Sequence, residues 1–125
     1  MERTWLAFAG LFGMLGVGAG AFGAHSLKKI LSVDMLTVFE TGSRYCLMHA
    51  LALLGVAAYS AVRPSRALRL SGWFFVFGIA VFSGTLWVLA VTGHRWLGMI
   101  TPVGGTSLIF GWLCVLIAGL AKEEE

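Results

Sequence analysis

The chain has 125 residues, of which 58% are hydrophobic and only 12% charged, with a formal net charge of +3. A soluble domain carries about a quarter of its residues as charges. Half that proportion cannot clothe a globule of this size, so lipid must solvate most of the surface. The positive charge is too small and too scattered for nucleic-acid binding. The partners this composition implies are membrane lipids and other membrane proteins, including a second copy of the chain.

In chain order, Met1-Glu2-Arg3 is a short polar start. Trp5 to Ala24 follows without a charge and is long enough to span a bilayer. Ala19-Gly20-Ala21 resembles a cleavage site, but the apolar run is long for a signal peptide. Gly16 and Gly20 form a GxxxG pair, and with Gly23 they give the helix a small-sided face for close packing. His25, Lys28 and Lys29 end it, where cations suit the helix dipole. Ser32 or Asp34 can cap what comes next. Beyond them, Met35, Val38, Phe39 and Gly42 share one face, and Thr37, Glu40 and Thr41 another. That pattern predicts a short amphipathic segment at the membrane surface, bending at Gly42 into a second span, 45–62.

This junction carries charge into the start of an apolar helix. Glu40 and Arg44 are four residues apart, acid first, the favourable order for a helical ion pair. Tyr45 and His49 are also four apart. Arg44 can snorkel to the headgroups. His49 lies a turn deeper, so its ring must face other helices rather than lipid. Pro64, with Arg63, Arg66 and Arg69, makes a basic loop suited to anionic lipid headgroups. A third span over 71–91 holds Ser83 and Thr85, whose hydroxyls are expected to bond their own backbone or a neighbouring helix. After a turn containing His94 and Arg95, Thr101-Pro102 reads as an N-cap followed by proline at the first helical position. That opens a fourth span, 101–121, made small-sided by Gly104 and Gly105. Lys122 and three glutamates form a solvated tail. Trp5, Trp73 and Trp96 lie near span ends, as interfacial belts do, whereas Trp87 and Trp112 are deeper. Cys46 and Cys114 fall inside apolar spans with no C-x-x-C spacing and read as free packing thiols.

The fold class is thus all-α: a single membrane domain, residues 1–125, built as a bundle of four transmembrane helices. Four spans put both termini on one side. That side has Arg3, Arg63, Arg66, Arg69 and Lys122, against Lys28, Lys29 and Arg95 opposite, with Arg44 at that edge. The imbalance places the termini in the cytoplasm.

Together, Gly20-Ala21-Phe22-Gly23-Ala24-His25, Arg44-Tyr45 with His49-Ala50-Leu51, Phe82-Ser83-Gly84 with Leu86, and Thr101-Pro102-Val103-Gly104-Gly105 form a specific set. With these motifs nearly the whole chain resembles the small inner-membrane proteins grouped as domain of unknown function 423, related to eukaryotic transmembrane protein 256. The resemblance implies four membrane helices and brings no activity, substrate or cofactor, hence no catalytic residues to carry over. By topology its motifs gather at one membrane face, where His25, Glu40, Arg44, Tyr45, His49, Ser83 and Thr101 form a candidate polar cluster. That cluster is either a small binding pocket or a hydrogen-bonded cap closing the bundle.

Three functions compete. The favoured one is a non-enzymatic scaffold or accessory subunit of a membrane assembly, without cofactor. The second is an oligomeric carrier or channel for an ion or small solute, which the lack of mid-span charges disfavours. The third is an intramembrane enzyme or metal protein using His25, His49 and His94, for which H-x-x-x-H spacing is absent.

Overall fold

The computed structural model describes residues 1–122, so the glutamate tail at 123–125 lies outside the described residues. Four helices make up the bundle: α1 (Glu2–His25), α2 (Val33–Val62), α3 (Arg66–Thr92) and α4 (Thr101–Leu120). Each is long and apolar enough to cross a membrane. Short 3₁₀ turns, Leu27–Lys29 and Arg95–Met99, join α1 to α2 and α3 to α4.

Local chemistry sets the boundaries. Ser32 caps α2 by accepting from the Met35 amide at 3.2 Å. Ser65 does the same for α3, accepting from Leu68 at 3.1 Å. That cap starts the third helix five residues before its apolar run. Gly93 ends α3 in the left-handed region at φ 76°, which glycine adopts without steric cost. Two expectations are corrected. The amphipathic segment is not a separate element with a bend at Gly42, because α2 runs unbroken for 30 residues. At 1.5 Å per residue that is roughly 45 Å, longer than a hydrocarbon core, so its first turns reach the surface as part of the helix. At α4, Ile100 rather than Thr101 is the N-cap residue, and it makes no side-chain cap bond. The Thr101 hydroxyl instead points back to the Leu97 carbonyl at 3.1 Å.

Each helix packs along its chain neighbour, α1 on α2, α2 on α3 and α3 on α4. Contact pairs show the neighbours to be antiparallel. Gly16 meets Leu47 while Gly23 meets Phe39, and Gly104 meets Phe82 while Gly111 meets Phe75. The core runs through Trp5, Phe12, Cys46, Leu53, Phe75, Ile79 and Leu108. Glycine decides where helices approach most closely. A Cβ at Gly104 would collide with the Phe82 backbone, and one at Gly78 would lie 2.5 Å from Leu108 and 3.0 Å from the Gly104 carbonyl oxygen. On α1, a Cβ at Gly16 would stand 3.0 Å from the Leu47 backbone, but one at Gly20 would meet nothing within 4 Å. The GxxxG pair is therefore split: Gly16 and Gly23 pack, and Gly20 does not. A Cβ at Gly105 would make only ordinary contact, 3.6 Å from the Phe82 ring. Cys46 and Cys114 are both buried and free.

Candidate functional site

The end of the bundle where α1 and α3 finish and α2 and α4 begin holds most of the buried polar side chains between helices. Ser83 Oγ donates to the Gly42 carbonyl at 2.7 Å, tying α3 to α2. One turn along, Trp87 Nε1 donates to Ser43 Oγ at 3.0 Å, and Ser43 donates to the Phe39 carbonyl at 3.1 Å. Position 42 is tight, since a Cβ there would stand 3.1 Å from the Trp87 ring and would press it to shift. Thr85 and Thr101 hydroxyls lie 2.7 Å apart and tie α3 to α4. Each has one hydrogen and each also faces a backbone carbonyl, so one hydroxyl serves the pair and the other its own helix.

His49 makes the third tie. It is buried, with 3% of its surface exposed. Its Nδ1 lies 2.9 Å from the Tyr45 carbonyl, and its Nε2 lies 3.0 Å from Trp112 Nε1. A carbonyl only accepts and an indole N–H only donates. The imidazole is therefore the neutral Nδ1–H tautomer, with both nitrogens occupied. Around it lie Phe75, with ring centroids 5.5 Å apart, and Tyr45 at 6.0 Å; Tyr45 in turn rests on Phe82 at 4.8 Å. A cavity of about 490 Å³ opens beside these rings between α2 and α4, walled by Tyr45, His49, Phe82, Pro102, Thr106 and Trp112. Trp112 also walls a second cavity, of about 450 Å³, with Tyr59, Leu68 and Ala118. Trp112 thus stands between two cavities, and its bond to His49 joins helices that do not pack directly along one another.

The predicted cluster is therefore not one patch. The structure brings Tyr45 and His49 together and uses Ser83 and Thr101 in separate interhelical bonds. His25, Glu40 and Arg44 are exposed at the rim. Among the described residues no ion pair joins Glu40 to Arg44. Exposed pairs of this kind are worth little, because water competes for both charges. No group of three His, Cys, Asp or Glu side chains that could hold a metal occurs among the described residues. Sequence reasoning missed Ser43, Trp87 as a donor, and Trp112 as the partner of His49. The two bonds involved, Trp87 to Ser43 and Trp112 to His49, join residues more than forty positions apart, and no local pattern signals them. Trp5 is a correction: expected in an interfacial belt, it is fully buried against Gly72 and Trp73. Trp112, expected to be interior, is 46% exposed.

A family model described as "Protein of unknown function (DUF423)" matches residues 19–105. A UPF0382 membrane protein of Staphylococcus saprophyticus is 41% identical over 92% of this chain and 95% of its own length. A UPF0382 membrane protein of Haemophilus influenzae is 39% identical over 99% of both chains. The UPF0382 inner membrane protein YgdD of Escherichia coli is 37% identical over 99% of this chain and 95% of its own. No solved structure matches the chain. Four apolar helices of spanning length, with relatives of equal length named as membrane proteins, make this a membrane protein, and the chain belongs to the DUF423 family.

Proposed function

We propose that this protein is a non-enzymatic scaffold or accessory subunit of a membrane assembly, held in the cytoplasmic membrane with both termini inside. The observation that carries this reading is the use made of the buried polar side chains. Ser43, His49, Ser83 and Thr101 each bond to a residue of a neighbouring helix, so hydrogen-bonding capacity of each goes into helix ties. Gly10, Gly18 and Gly20 of α1 have nothing within 4 Å of where a Cβ would stand. Open glycines of this kind allow another helix to approach closely.

The test is purification in a mild detergent, with light scattering for mass and mass spectrometry for what accompanies the chain. The scaffold reading expects a stoichiometric protein partner or a defined homo-oligomer. It also expects Gly18→Leu to dissolve that assembly while the thermal stability of the bundle stays unchanged. A monomer with no protein bound, in wild type and variant alike, would overturn it.

The second reading, an oligomeric carrier for an ion or small solute, has one observation in its favour: the 490 Å³ cavity reaches His49. It expects solute flux in proteoliposomes that changes when Trp112→Phe removes the donor to His49.

A further inference from the structure

At the opposite end of the bundle, where α1 begins and α2 hands over to α3, a cavity of about 170 Å³ is walled by Met1, Glu2, Trp5, Ser60, Ser65 and Arg69, with Pro64. Its lining is about half hydrogen-bonding groups, whereas the grooves along the helices are mostly apolar. Trp5 is wholly buried, and its Nε1–H has no partner among the described residues. An unsatisfied buried donor is costly and calls for an unseen acceptor. The N-terminus of α3 opens at the same place. Ser65 takes the Leu68 amide on its hydroxyl and the Arg69 amide on its carbonyl. The amides of Arg66 and Ala67 are left without a helical acceptor, at the positive end of a 27-residue helix. Arg69 adds a guanidinium. The opposing charge is Glu2, whose carboxylate is already held by the Met1 ammonium at 3.3 Å.

We propose that this cavity binds a phosphate group at the membrane surface. Trp5 Nε1–H, the first-turn amides of α3 and the Arg69 guanidinium would be its donors. Each supplies what a phosphate oxygen accepts, and Arg matches phosphate geometry with two donors at once. The same chemistry comes from an anionic lipid headgroup or from free phosphate. The inference is independent of the scaffold reading, since it concerns the other end of the bundle.

The full chain in a nonionic detergent is titrated with phosphatidylglycerol, with diacylglycerol and with inorganic phosphate, and the melting temperature is followed. A rise with phosphatidylglycerol but not diacylglycerol supports the site. If inorganic phosphate raises it as well, the source is free phosphate; if it does not, the source is lipid. No rise with either phosphate-bearing probe, or an equal rise with diacylglycerol, overturns the proposal and leaves a cavity that holds water. Trp5→Phe removes the indole N–H, and should weaken binding about threefold to tenfold. Arg69→Gln should weaken it by a similar factor or more. Glu2→Gln should tighten it, whereas a cation site would be weakened by the same change. Arg69 and Glu2 are exposed, so those two variants fold and keep the test decisive if Trp5→Phe does not. Unchanged affinity in both would overturn the assignment.

Discussion

His49 shows how one polar side chain can be held in a membrane interior. With its two nitrogens spent on the Tyr45 carbonyl and the Trp112 indole, it is satisfied without a charge. His49→Leu orphans the indole. Trp112 is half-exposed, but the hydrocarbon it faces offers its indole no acceptor. Interhelical hydrogen bonds in membranes average about 0.6 kcal/mol. A double-mutant cycle of His49→Leu with Trp112→Phe should therefore give a coupling of about 0.5–1 kcal/mol in detergent unfolding. A coupling of zero would mean that the two rings do not bond. His49→Gln should keep more stability than His49→Leu, since an amide can still accept from the indole. That His49 faces a neighbouring helix was legible from its depth in an apolar run. Which helix, and through which indole, was not.

At the scale of the helix, the glycines separate into those that packing requires and those it leaves open. Gly104 lies against the Phe82 backbone, and backbone cannot swing aside as a side-chain tip can. Gly104→Ala should cost roughly 1–3 kcal/mol through overpacking. Gly20→Ala meets nothing and should be neutral, or stabilising by up to about 1 kcal/mol through helix propensity. Gly16→Ala should lose stability in the same direction as Gly104→Ala but less, because its Cβ would stand 3.0 Å from the Leu47 backbone where the Gly104 Cβ would come closer to that of Phe82. Melting temperatures of the three variants in one detergent check the order, and equal losses at 16 and 20 would contradict the packing described. The caps follow the same division. The sequence left Ser32 or Asp34 to cap the second helix, and the structure uses Ser32. Thr101 instead spends its hydroxyl on Leu97 and Thr85, because the preceding 3₁₀ turn brings that carbonyl within reach.

For the molecule as a whole, the antiparallel order of four helices places Ser26 and His94 at one end and Ser65 at the other. In a chain with Cys46 and Cys114 replaced by alanine, single cysteines at 26 and 94 should react with an impermeant thiol reagent from the same side of the cell membrane. A cysteine at 65 should react from the opposite side. Labelling of 26 and 65 from one side would refute the arrangement. The number of spans and the helical class were written in the sequence alone. Lipid demands about twenty apolar residues per crossing whatever the neighbours are, so the requirement is met locally and can be read locally. Tertiary structure alone decided that Trp5 is buried and Trp112 half-exposed, that Gly16 packs and Gly20 does not, and that the polar cluster is three separate ties. Those outcomes depend on how each helix is rotated against its neighbour, and in a chain apolar on nearly every face no single-helix pattern records that rotation.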